Sequence, residues 1–271
     1  MERTLQKRIN SDGSWITVDL YGDPDQAGLV VVPGVMSDAH GWRHVVQAIR
    51  AWPSVAVVNR RGRAPSGPLT AEYSLQSEID DLFAAIGQIG GAAAVFGWSY
   101  GGLIALLAAD QRPLPQVIAY EPVSRPFGHD SLPHLKEAHD EADWDQSVVI
   151  VNRRISNFPE SRVAELRDDT ATWEALLELS KPLYPEIQAL NGTALPAEIA
   201  RQAGQVDLIL GQANKGAGPY GTAFDDVLRR VPGARVHELP EQGHLAHIEA
   251  PAALAEAIDR AAAGALSGRS L

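Results

Sequence analysis

Residues 92–110 read AAAVFGWSYGGLIALLAAD, and the fold is decided there. Ala92 to Trp98 is a small-residue apolar run, as expected of a strand buried on both faces of a parallel sheet. Leu103 to Asp110 has the composition of a helix. Between them, Gly97-Trp98-Ser99-Tyr100-Gly101 matches G-x-S-x-G. The bare pattern is common, and a Gly-Ser turn capping a helix carries the same letters. After a strand and before a helix, however, it has the setting of a nucleophile elbow. Such a turn is strained, so flanking glycines relieve crowding between strand and helix. It presents the serine oxygen beside a helix N-terminus, where backbone N–H groups favour developing negative charge.

Working outward, apolar runs and amphipathic stretches alternate. Trp15 to Leu20 alternates like an exposed strand, while Leu29 to Val32 and Val55 to Val58 are continuous aliphatic runs. Gly41 to Trp52 reads as a helix. Tyr73 to Ile89 carries Leu75, Ile79, Leu82, Phe83 and Ile86 at helical spacing. Val117 to Tyr120 is the next strand, and the βαβ order implies parallel strands with right-handed crossovers. The end repeats the pattern: strand at Val206 to Leu210, helix at Thr222 to Val231, strand at Arg235 to Leu239, helix at Pro251 to Ala263. The Ala-rich tail reads as a frayed helix end. Residues 122–203 differ in character, with Trp144, Phe158, Trp173 and Tyr184 and no buried strand beyond a short Val148 to Val151 run. We read an α/β core in two parts, 1–121 and 204–271, with a helical lid insertion, 122–203, over a mostly parallel sheet flanked by helices.

Composition narrows the function. The 271 residues suit one sizeable α/β domain with an insertion, and 45% hydrophobic with 21% charged residues is ordinary for a globular protein. A formal net charge of −11 opposes binding to nucleic acid or to anionic membrane surfaces. The chain has no cysteine, which excludes a disulfide scaffold, thiolate zinc sites and a cysteine nucleophile. The N-terminus lacks the apolar stretch of a signal peptide, and no run reaches the roughly 20 apolar residues of a membrane span. A cytoplasmic protein is the expectation.

The chain resembles the α/β-hydrolase superfamily over nearly its whole length. The elbow carries the resemblance together with Pro33-Gly34-Val35, Asn59-Arg60-Arg61-Gly62-Arg63-Ala64-Pro65-Ser66 and Gly243-His244. A serine hydroxyl needs a positioned base, and 8 histidines are available. The resemblance implies His244, on the loop between the last strand and the last helix. His247 reads as packing or capping in the following turn, and His40, His129, His134 and His139 as surface residues or pocket lining. The resemblance also implies two oxyanion-hole donors, the backbone N–H groups of Tyr100 and, by position, Val35. Many members have His-Gly-x where this chain has Pro33-Gly34-Val35.

The third member of the catalytic triad has two candidate places. The family commonly takes an aspartate from the loop after the Val206 to Leu210 strand, where this chain has Asn214. Certain dehalogenases and the lactonase that opens zearalenone take it from the end of the Val117 to Tyr120 strand, where Glu121 stands. Glu121 is the leading acid. Asn214 is a weaker orienter, Asp207 and Asp225 are further alternatives, and an ion pair with Arg125 is the structural alternative for Glu121. Similarity to the lactonase branch makes a serine esterase or lactonase the expected activity, through an acyl-enzyme, with no metal or organic cofactor. Thioester or C–C cleavage would use the same residues, and a non-hydrolytic receptor or cyclase is the other class. The expected partner is a small molecule with an apolar body, held by Met36, Trp98, Trp144, Trp173 and Tyr184. The sequence leaves the oligomeric state open.

Overall fold

The structure, a computed structural model, describes residues 1–267. Among them eight strands form one sheet: β1 (Arg3–Ser11), β2 (Ser14–Gly22), β3 (Gly28–Val32), β4 (Ser54–Asn59), β5 (Ala92–Trp98), β6 (Val117–Tyr120), β7 (Val206–Gly211) and β8 (Arg235–Leu239). Their spatial order is β1-β2-β4-β3-β5-β6-β7-β8. β1 and β2 pair antiparallel, as do β2 and β4, and every later neighbour pair is parallel. β3 to β7 are buried along their length save for the start of β5, as their unbroken aliphatic runs demand. β1 was not anticipated. It is an edge strand whose side chains mostly face solvent, so its sequence lacks an apolar face to read.

Helices cover both faces. The helices α1 (Arg43–Ala48), α2 (Leu75–Gln88) and α3 (Tyr100–Gln111) fall within the first half. α2 and α3 pack on one face, where α3 is buried all round. α1 lies on the other, with the helix that closes the chain. The helix expected over Gly41 to Trp52 is shorter. A 3-10 turn at His40–Trp42 leads into α1, and Ile49 already has an extended backbone. Pro53 restricts only Trp52 directly before it, which keeps the helix from reaching the expected end.

Between β6 and β7 come α4 (Leu132–Asp140), α5 (Trp144–Ile150), α6 (Glu160–Asp168), α7 (Thr170–Ser180) and α8 (Leu183–Gly192). The Val148 to Val151 run is helical, not strand. It ends α5 and enters a π-helical turn at Val151–Ile155. After β7 come α9 (Tyr220–Arg230), α10 (Ala246–Glu249) and α11 (Pro251–Ser267). The last residues of the Ala-rich tail, 268–271, lie outside the described residues. Among the described residues, no helix is long and apolar enough to cross a membrane.

Candidate active site

Sheet register brings the candidate residues together. Trp98 at the end of β5 pairs with Tyr120 at the end of β6, so Ser99 and Glu121 leave adjacent strands at the same edge. The Ser99 N–H donates to the Tyr120 carbonyl at 2.9 Å, and the Glu121 N–H to the Ile209 carbonyl on β7 at 2.9 Å. Both residues have positive φ, 56° at Ser99 and 41° at Glu121. That conformation costs a side-chain-bearing residue about 1–3 kcal/mol and persists only where its surroundings over-determine it. At Ser99 the surroundings include two glycines. A Cβ on Gly97 would lie 2.3 Å from the Gly101 carbonyl oxygen, and one on Gly101 would lie 2.1 Å from that of Val32. Strand, turn and α3 therefore meet too closely for any side chain at either position.

Ser99 precedes the first residue of α3, and no other described residue takes up the N–H of Tyr100. The first N–H groups of a helix have no partner within it. The Val35 N–H, on the loop after β3, is likewise without a partner among the described residues. Val35, Met36, Trp98 and Ser99 all border one cavity.

His244 follows β8 on a loop pinned from three strand ends. The Trp98 indole donates to the His244 carbonyl at 2.9 Å, and the Tyr120 hydroxyl donates to the Gly243 carbonyl. From the β7 side, the Ala213 N–H donates to the Gln242 carbonyl at 3.0 Å. The imidazole Nδ1 donates to Glu121 Oε2 at 2.7 Å. A carboxylate only accepts, so Nδ1 carries the proton and Nε2 is left with a free lone pair. Burial pushes the His244 pKa below the ordinary histidine value, and the Glu121 carboxylate opposes that by favouring the imidazolium. The Tyr220 ring stacks on the imidazole with centroids 3.5 Å apart and planes within 11°.

Glu121 and Asn214 are not competing partners for the histidine. The Asn214 amide donates to both carboxylate oxygens of Glu121, at 3.0 and 2.9 Å, and the Gly211 N–H donates to Oε1 at 2.9 Å. Glu121 is fully buried with its oxygens taken up by these groups and His244. Arg125 points elsewhere, toward the Thr193 carbonyl. Asp207 sits on β7 and binds Gln116, Arg235 and His237, and Asp225 is exposed on α9. Neither aspartate is bonded to His244.

The cavity beside Ser99 and His244 has a volume of about 210 Å³. From the segment between β6 and β7 it takes Phe127, Val151, Asn152, Ile155, Ser156, Phe158, Arg162, Leu166, Thr172, Leu176 and Ile187. Trp144, Trp173 and Tyr184, expected there, do not line it. Trp144 meets His139 edge-on at 5.7 Å, Trp173 lies under the Arg167 guanidinium at 4.8 Å, and the Tyr184 hydroxyl accepts from Gln188 at 3.0 Å. These rings are half-buried and packed among helices, so aromatic character alone pointed to the wrong residues. His247 stands in α10, stacked on Trp42 with centroids 4.9 Å apart and 4.1 Å from Trp98, and it also borders the cavity. Burial, aided by nearby His244, holds its pKa down to about 3. His40, His129 and His134 are exposed. Tyr220 was missed, because it follows a Gly-rich loop and no sequence pattern singles it out.

A sequence model of the alpha/beta hydrolase family matches residues 29–257. The chain belongs to that family. As an alpha/beta hydrolase it is similar in fold to a hydrolase from Sphaerobacter thermophilus DSM 20745, at 24% identity over 94% of this chain and 99% of that one, TM-score 0.78. It is also similar to the enol-lactonase from Burkholderia xenovorans LB400, at 17% identity over 96% and 100% of the two chains, TM-score 0.71. The esterase RhEst1 from Rhodococcus sp. ECU1013 shares 16% identity over 95% and 98%, TM-score 0.66. A search of curated proteins finds no match. Family and fold together support a hydrolase.

Proposed function

We propose that this alpha/beta hydrolase is a serine hydrolase that cleaves a carboxylic ester or lactone through an acyl-enzyme. The observation that carries the reading is the 2.7 Å contact from His244 Nδ1 to buried Glu121, at the same sheet edge as a serine held at φ 56°. A histidine oriented in this way has a lone pair free at Nε2, as a general base requires. Ser99 Oγ attacks the substrate carbonyl carbon while His244 Nε2 takes the hydroxyl proton. The carbonyl oxygen becomes an oxyanion held by the Tyr100 and Val35 N–H groups, each such donor lowering the barrier by about 2.7–4 kcal/mol. The intermediate collapses to an acyl-serine, and the leaving alcohol departs with the proton from His244. Water, deprotonated by His244, then releases the acid and frees Ser99. Glu121 holds the imidazole in its tautomer and stabilises the imidazolium at each step, and Asn214 holds Glu121.

The helices between β6 and β7 act as the lid, and the segment that carries them supplies eleven of the twenty residues lining a largely apolar pocket. Its volume, about 210 Å³, falls below the roughly 300–1,000 Å³ of sites for drug-sized ligands, which favours a compact substrate. An esterase and an enol-lactonase share the fold, which supports the substrate class without deciding between its two members. The test is intact mass after exposure to a small fluorophosphonate, beside Ser99→Ala. One adduct on the wild type and none on the variant is expected, followed by turnover in a panel of p-nitrophenyl esters and lactones. No adduct on folded wild-type protein would overturn the proposal.

A further inference from the structure

Three arginines from the loop after β4 run into the interior instead of out to water. Arg60, Arg61 and Arg63 are each at most 2% exposed, and so are the three carboxylates that face them: Glu78 and Asp81 on α2, Glu186 on α8. Arg61 is held locally by a two-point pairing with Asp81, through Nε and Nη2, both contacts 2.7 Å. Arg60 does something else. Its Nη1 lies 2.7 Å from Glu78 Oε1 and 2.7 Å from Glu186 Oε1, while Nη2 donates to the Gly34 carbonyl at 2.8 Å. Arg63 holds the other Glu186 oxygen at 2.7 Å.

The Gly34 carbonyl and the Val35 N–H are two ends of one planar peptide unit, pointing in opposite directions. Gripping that carbonyl therefore sets the direction of the N–H. A cation on the carbonyl also polarises the unit and strengthens its N–H as a donor. The same cluster reaches the other candidate donor. The Tyr73 hydroxyl donates to Glu78 Oε1 at 2.7 Å and lies 3.2 Å from the Tyr100 hydroxyl. Resting on the reading of Val35 and Tyr100 as oxyanion donors, we propose that Arg60 is a positioning residue for the oxyanion hole, and that Glu186 makes the inter-strand insertion part of its construction. Arg60 touches no substrate. It acts through the 34–35 peptide, and Glu186, from a helix distant in sequence, holds the same Arg60 nitrogen as Glu78 of α2.

The test compares wild type, Arg60→Lys and Glu186→Gln by steady-state kinetics on p-nitrophenyl butyrate and by the rate of fluorophosphonate labelling of Ser99. Lysine keeps the charge but loses the planar fork that reaches a carbonyl and two carboxylates together. The expected result for Arg60→Lys is a 10- to 100-fold fall in kcat and in labelling rate, with KM within about twofold and an unmoved acid limb of the pH profile. Glu186→Gln should fall in the same direction by at least fivefold. A purely structural role predicts lower thermal stability with unchanged kcat below the melting transition, and that result overturns the proposal. If Arg60→Lys does not fold, Glu186→Gln decides alone, and kcat within twofold of wild type sinks the idea. Wild-type protein that takes no adduct would instead bring down the reading of Ser99, and the inference with it.

Discussion

Ser99 is held on the cavity wall by a strained backbone, at φ 56° and ψ −120°. Alanine at that position keeps the strain and glycine removes it. Ser99→Gly is therefore expected to be at least as stable in urea as Ser99→Ala, despite glycine's greater freedom in the unfolded chain, and both are expected to be inactive. Glu121 and Asn214 separate by size of effect. Glu121→Gln removes the charge that stabilises the imidazolium and should lower kcat by about 10⁴-fold. Asn214→Ala removes hydrogen bonds to a carboxylate that keeps the Gly211 N–H and His244, so about a tenfold loss is expected. The reverse ranking in steady-state assays would reject the assignment. Activity requires neutral His244, whose pKa burial lowers, so kcat/KM should rise with pH along a limb below the ordinary histidine value of 6.5. Removing the Glu121 charge disfavours the imidazolium further, so Glu121→Gln should move that limb to lower pH.

At the scale of elements, legibility followed unbroken apolar runs. β2, whose alternation read as an exposed strand, is buried from Ile16 to Tyr21, its polar Thr17 and Asp19 taken up by hydrogen bonds. β3, β4, β5, β6 and β7 were readable because strands covered on both faces are continuous apolar runs. β1 was not, being an exposed edge. Ser99 and Glu121 were readable because each directly follows the end of a strand, and His244 because the family resemblance points to the loop after β8. The cooperation of Asn214 with Glu121 was not, since it depends on how two loops meet. The segment between β6 and β7 was legible as helical, but the face of each helix that meets the cavity was not. Trp144, Trp173 and Tyr184 lie among the helices while Ile155, Phe158 and Leu176 face the cavity. Accordingly Phe158→Ala should raise KM for p-nitrophenyl esters several-fold, and Trp173→Ala should leave it unchanged. Equal effects would count against the cavity as substrate site. The buried arginines were visible only as a family mark. The signal for their role was Glu78 and Asp81, three residues apart on the apolar face of α2 that carries Leu75, Ile79 and Leu82.

Across the whole molecule, two buried histidines tie stability to pH. His244 and His247 both have folded pKa values below the ordinary 6.5, His247 at about 3. The unfolded chain therefore binds these protons first. Their contribution is complete above about pH 6.5 and is lost as pH falls, for His247 down through about 3, at about 1.4 kcal/mol per pH unit per proton. His247→Phe retains a ring against Trp42 and removes one such proton. Its unfolding free energy, from urea titrations at pH 6, 5 and 4, should fall less steeply by about that amount per unit, and a parallel dependence would exclude His247 as the source. The Glu186 carboxylate has a consequence for anyone redesigning this protein. Grafting the helical segment of a relative onto this core, a usual route to new specificity, would strip Arg63 of its counter-charge and Arg60 of half of its own. A chimera would need to import a carboxylate at that one point, or to replace the arginines along with the graft.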